Sequence, residues 1–286
     1  MTRQVFIFLL VAAGVAGYGY HRGWLEVRLN FEEFAEATGP TRPDEEFVGT
    51  GLGATGRGRA YGIFVSLSEF PPDEHGASRN LPGHALLAQR VADAFIGTHI
   101  MRRDDAIVLM DEAATVQRFN EAVVRLSLAV GPEDLAIIYF ATHGGVNQLE
   151  LRHGEMLTES MLQADLALLH AGEGLFIADA CHSGSLAHAT PRPFGTILWN
   201  RLFSTGETTF SFGEHLSSAI IHVLPMLGAD DSRVTLGDLL AAVQDRMRVS
   251  TEPLTDEQRD QMQVNAVGDR DAMLWYARSL PIALDE

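Results

Sequence analysis

An α/β fold with a mostly parallel central sheet and helices on both faces is predicted by three features of the chain. Runs such as 135-LAIIYFA-141 and 175-LFIADA-180, the second apolar but for Asp179 near its end, are close to continuously apolar, as strands covered on both sides are. Segments of helical spacing alternate with them, which is the order of a layered α/β domain. With 286 residues, 46% of them hydrophobic, the chain can bury one sizeable core and leave about 30 to 60 residues for appendages.

The elements follow in order. Residues 1–25 hold the apolar run 5-VFIFLLVAAGVAGYGY-20, somewhat shorter than the roughly 20 residues of a bilayer span. They are expected to be a membrane anchor or a signal peptide: Gly14 and Ala16 are small enough for cleavage, and Tyr18, Tyr20 and Trp24 suit an interfacial belt. The protein is therefore expected to be membrane-anchored or exported, with Arg3 and Arg22 too evenly matched to set the side. Residues 26–59 read as a linker, acidic and proline-punctuated and then glycine-rich over 49-GTGLGATGRGRA-60.

The remaining domain is expected over 60–280. Strands are predicted at 61–67, 106–110, 135–141 and 175–180. Helices are predicted at 84–96, at 115–130 with Thr115 as N-cap, at 158–170 with Thr158 as N-cap, at 214–227 ending or kinking before Pro225, and at 235–248. The segment 249–277 is expected to close the domain with a helix and a final strand.

Composition removes several classes of function. A net charge of -17 leaves no basic face for nucleic acid and favours a cationic partner. All 21 basic residues are arginine. The single cysteine, Cys181, cannot form an internal disulfide or a thiolate metal cluster, which leaves a buried apolar thiol or a reactive one. No His pair has ligand spacing, and no metal site is expected.

Two predicted strands end in chemistry-bearing residues, 142-THGG-145 and 179-DACHSGS-185. In a parallel sheet such residues gather outside the carboxyl ends of the strands. If the two strands are neighbours, His143 and Cys181 form a dyad in which the imidazole activates the thiol. Gly144 would let backbone approach a substrate carbonyl, and the N–H groups of Gly144 and Cys181 would hold its oxyanion. His182 adjoins the cysteine, but adjacent side chains at a strand exit diverge, so it is the poorer base.

These residues resemble the two motifs of the caspase-like cysteine peptidases of clan CD. Asp-x-Cys-His-Ser-Gly is closest to the metacaspase and orthocaspase branch, peptidase C14. The resemblance spans about 60–250, including 61-YGIFVSLSEF-70, 107-IVLMDEAAT-115 and 230-DDSRVTLGDLL-240. It implies a caspase-hemoglobinase fold, a Cys181 nucleophile, His143 as base or imidazolium partner, and Asp179 lining a pocket for Arg or Lys before the cut.

The chain departs from that branch in three places. The usual Ser-Gly-His-Gly is 141-ATHG-144; Leu87 stands where a second acidic pocket residue is expected; and the calcium-binding acids of some metacaspases have no counterpart, so no cofactor is expected. The legumain-like branch, peptidase C13, which cuts after Asn or Asp, shares 143-HGG-145 and 183-SGS-185 and ranks second. A catalytically silent scaffold of the same fold is the rival from another class. If cleavage follows arginine, Arg57 and Arg59 in the linker and Arg192 and Arg201 in the loop after the cysteine are candidate self-cleavage sites.

Overall fold

The computed structural model describes residues 59–188, 198–227, 233–268, 270 and 273–276, all within a unit spanning Gly51–Glu286. The chain opens with β1 (Ala60–Ser66), a strand buried along its whole length. Helix α1 (Leu87–Gly97), strand β2 (Met101–Met110), helix α2 (Val116–Ala129) and strand β3 (Leu135–Ala141) follow. Three short strands come next, β4 (Gly144–Gly145), β5 (Gln148–Glu150) and β6 (Met156–Thr158), then α3 (Glu159–Leu166) and β7 (Glu173–Asp179). Beyond the cysteine lie β8 (Leu198–Phe203), α4 (His215–Val223), β9 (Arg233–Thr235), α5 (Leu236–Ser250), α6 (Asp256–Gln261), β10 (Asn265–Val267) and β11 (Met273–Tyr276).

Six strands form the central sheet in the order β10-β8-β7-β3-β1-β2. Every neighbouring pair is parallel except β10, which runs antiparallel to β8. Successive side chains point to opposite faces, so β3 feeds two cores at once. Ile137 and Tyr139 join the layer of α1, α4 and α5; Ile138 and Phe140 join that of α2 and α3. This double coverage is the reason the strand reads as unbroken apolar sequence.

The helix starts follow their caps. Thr115 Oγ1 accepts from Arg118 N at 3.1 Å, Thr158 Oγ1 from Met161 N at 3.4 Å, and Thr235 forms a reciprocal capping box with Asp238. Helix α4 ends at Val223, two residues before Pro225. Strand β2 begins five residues ahead of the expected Ala106, through the polar Arg102–Asp105. It is an edge strand paired only with β1, so one side stays open to charged residues. Helix α3 stops at Leu166, four residues short of expectation.

Two self-cleavage candidates are held in the sheet. The Arg59 carbonyl accepts from Leu135 N and its N–H donates to Asp134, so its scissile bond is tied down where β1 begins. Arg201 lies within β8, between β7 and β10, and not in a loop. Arg57, Arg192 and the segment 1–25 lie outside the described residues. Among the described residues no helix is long and apolar enough to cross a membrane.

Candidate active site

Strands β3 and β7 are parallel neighbours whose last paired residues are Ala141 and Asp179. His143 and Cys181 each lie two residues further on, so the register sets them opposite each other at the carboxyl edge of the sheet. Thr142 N still reaches the Asp179 carbonyl at 3.4 Å, which carries the alignment one step past the strands.

The turn at Cys181 is stitched from the side of β8. Ala180 N donates to Ser204 Oγ at 3.1 Å, Thr205 Oγ1 donates to the Ala180 carbonyl at 3.0 Å, and Ser183 N donates to Thr205 Oγ1 at 3.1 Å. Ser204 and Thr205 are fully buried, so these hydroxyls have no solvent to compete for them. Gly184 fits because a Cβ there would lie 2.7 Å from the Gly206 backbone. Gly144 has a similar reason: a Cβ would lie 2.1 Å from the Cys181 carbonyl oxygen. The close approach that Gly144 permits is thus to the cysteine's own backbone, which draws β4 and the Cys181 turn together.

The thiol and the imidazole each have a partner other than the other. Ser211 N donates to Cys181 Sγ at 3.3 Å, and Sγ lies 3.8 Å from the Ser211 carbonyl. Burial pushes the thiol above its ordinary range, with the Ser211 N–H pulling back and the Asp179 charge adding to the rise. His143 Nε2 lies 2.7 Å from the Arg79 carbonyl oxygen. A carbonyl only accepts, so Nε2 carries the hydrogen and Nδ1 is the basic nitrogen. The ring packs on Phe70 at 4.3 Å, and burial lowers its pKa below the usual histidine value.

The carbonyl that holds His143 belongs to a residue anchored by its own side chain. Arg79 donates Nη1 to Glu150 Oε1 at 2.9 Å and Nη2 to Oε2 at 2.5 Å, and the Glu150 side chain is 5% exposed. Glu150 lies on β5. Its N–H donates to the His143 carbonyl at 2.9 Å, and its own carbonyl accepts from Thr142 Oγ1 at 2.5 Å.

Asp179 is 1% exposed. Its Oδ2 accepts from Ser217 N at 2.9 Å and Ser217 Oγ at 2.6 Å, in the first turn of α4, where the helix dipole favours a carboxylate. Ser217 Oγ in turn takes the Tyr139 hydroxyl hydrogen at 2.6 Å, completing a buried relay from β3 to β7. Among the described residues Oδ1 has only the Ser211 hydroxyl, at 3.5 Å. Leu87, at the position expected for a second acid, is fully buried in the core. Glu214, which directly precedes α4, lies against Gly83: a Cβ there would sit 2.6 Å from its Oε2.

His182 makes its contacts with residues other than Cys181 and His143. It has φ of 55°, its N–H donates to the Thr209 carbonyl, and its ring packs on Phe210 at 4.8 Å. Among the described residues no group of three or more His, Cys, Asp or Glu has the geometry to hold a metal ion.

Arg79, Glu150, Ser211, Ser217 and Glu214 are absent from the sequence-based candidates. One signal for the last three is 198-LWNRLF-203, an aromatic and aliphatic run that reads as a strand and would have sent the segment after it to the same sheet edge.

A parallel sheet ending in a His-Gly and an Asp-x-Cys turn, set opposite each other by register, is the architecture of the caspase-like cysteine peptidases. Solved structures agree on the fold. Caspase-1 from Spodoptera frugiperda matches with a TM-score of 0.55 at 14% identity, over 74% of this chain and 87% of that one. Protein GSU0716 from Geobacter sulfurreducens matches with a TM-score of 0.54 at 15% identity, over 77% and 98%. The model of the peptidase C13 family matches residues 76–224, just over half of the chain. The chain belongs to the peptidase C13 family. That is the branch favoured by 143-HGG-145 and 183-SGS-185, and not the C14 branch favoured by Asp-x-Cys-His-Ser-Gly. No curated protein matches the chain.

Proposed function

We propose that the protein is a cysteine endopeptidase that uses Cys181 and His143 as a dyad. The observation that carries this reading is the β3–β7 register, which sets the only cysteine and a tautomer-fixed histidine on facing strand ends. Cys181 Sγ attacks the scissile carbonyl carbon as its proton passes to His143 Nδ1. The oxyanion is held by the N–H groups of Gly144 and Cys181. The C–N bond breaks as the imidazolium protonates the leaving amine. Water, deprotonated by His143, then hydrolyses the thioester and frees the thiol.

The preferred residue before the cut is basic. In this reading Asp179, two residues before the cysteine, and Glu214, packed against Gly83, are the two carboxylates that meet the side chain, and Oδ1 of Asp179 is the oxygen left for an incoming cation. A net charge of -17 adds long-range attraction for a basic segment. Beside Phe70 a cavity of about 320 Å³, lined by Glu69, Pro71, Asn80, Arg152 and His153, offers a further contact for the substrate chain. Residues 1–25 are proposed to tether or export the domain through the 26–59 linker, and Arg57 and Arg192 are the candidate self-processing sites in this reading.

A second specificity, cleavage after Asn or Asp, is favoured by the C13 family match. Asn is the better of the two, since Asp would meet the same two carboxylates. The test is a peptide panel varying the residue before the bond among Arg, Lys, Asn, Asp and Gln, assayed on wild type, Cys181→Ala and His143→Ala. Highest kcat/KM for Arg or Lys, lost in both variants, is expected. A maximum at Asn selects the second specificity. Turnover surviving both substitutions refutes the dyad, and no turnover on any peptide favours the scaffold reading.

A further inference from the structure

Glu150 touches no part of the dyad with its side chain, yet three of its groups converge on His143. Its carboxylate grips Arg79, whose carbonyl receives the His143 Nε2 hydrogen. Its N–H binds the His143 carbonyl, and its carbonyl takes the Thr142 hydroxyl. The backbone that carries the ring and the acceptor that orients it are thus referenced to one residue. Phe70 completes the assembly, with the Arg79 guanidinium 6.0 Å above its ring and His143 4.3 Å from it.

A buried ion pair contributes little to stability against an apolar replacement, because desolvation offsets most of the attraction. Its use here is geometric. The planar guanidinium and the carboxylate meet in a fork that fixes direction as well as distance. Arg79 sits in the 67–86 crossover, which has no regular element between β1 and Pro82; Leu81 N donates to the Ser68 carbonyl and Phe70 N to Asn80 Oδ1, and the bidentate bond to β5 is the side-chain anchor of Arg79 itself.

We propose that Arg79 and Glu150 act as one positioning device that holds the Nε2–H of His143 and so keeps Nδ1 as the free base. The proposal rests on the dyad reading for its catalytic consequence, but the hydrogen bond can be read without catalysis. Losing it would free the ring to turn, and a misplacement of about 1 Å in a reacting group can cost about 10²-fold in rate.

The test uses full-length chain with ¹⁵N-labelled histidine, in wild type, Glu150→Gln, Arg79→Met and the double variant, with His143→Ala to assign the signal. Wild type is expected to show a solvent-protected Nε2–H correlation for His143. In either single variant its exchange should be at least about tenfold faster, while the other ten histidines hold their shifts and report an intact fold. On the preferred peptide, kcat should fall about 10²-fold with KM within about threefold, and the double variant should be no worse than the poorer single one. A protected Nε2–H that persists in both variants, unchanged kcat, or no such signal in wild type overturns the proposal. If wild type lacks turnover but the N–H responds as described, the peptidase reading falls and the positioning device stands.

Discussion

At Cys181 and His143 burial opposes charge on both groups: it raises the thiol and lowers the imidazole. Burial thus favours the neutral thiol and the neutral imidazole, and in the proposed mechanism His143 takes the proton during attack instead of resting as an imidazolium. The sign gives a pH prediction. His143 must be unprotonated, so the acid limb of kcat/KM should lie below the ordinary histidine value of about 6.5. Alkylation of Cys181 by iodoacetamide should rise only above the ordinary thiol value of about 8.5. An alkylation rate that has already reached its plateau below pH 7 would show a resting thiolate–imidazolium pair and contradict this. The two residues proposed as the dyad stand out in the sequence because each lies two residues past a strand of largely apolar residues. Glu150 was not legible, since its partner is 71 residues away and no local pattern announces an ion pair.

At the scale of elements, the packing of α2 on α3 carries a titratable group. Burial pushes Asp165 of α3 up to about 7 from the ordinary 3.8. With its amide nitrogen turned toward α3, Asn120 of α2 donates to Asp165 Oδ2 at 3.1 Å and to the Val116 carbonyl at 3.1 Å, which offsets part of that cost. The folded pKa exceeds the unfolded one, so the protonated acid is the form that folding favours. Its contribution is complete below about pH 3.8 and is lost as pH rises through about 7. Asp165→Asn should therefore stabilise the protein by about 1–2 kcal/mol at pH 8 and by close to nothing near pH 4, read from urea unfolding. An equal gain at both pH values would show that the effect is packing and not titration. The helices themselves were legible from threonine caps and apolar spacing. The β4–β6 hairpin was not, because strands of two or three residues are too short to show a period, and that hairpin is what presents Glu150.

For the whole molecule, alternation of apolar strands and amphipathic helices was enough to predict the layered fold, and solved structures of the caspase fold match it. The family branch was harder to read. The Asp-x-Cys-His-Ser-Gly and His-Gly-Gly motifs carry the proposed nucleophile and base whichever branch is read, whereas the second acid proposed to set specificity, Glu214, comes from a distant segment. Leu87, where the sequence points to a second acid, is buried in the core, and the acid proposed in its place, Glu214, is found only through the packing of its side chain against Gly83. The account as a whole stands on Cys181 being a nucleophile served by His143. Its most direct test is intact-mass analysis after treatment with peptidyl acyloxymethyl ketones bearing arginine or asparagine at the reactive position. One adduct at Cys181 in wild type, slowed by substrate peptide and at least about 10²-fold slower in His143→Ala, is the predicted result. No adduct in a folded wild-type protein whose thiol still reacts with iodoacetamide would contradict it.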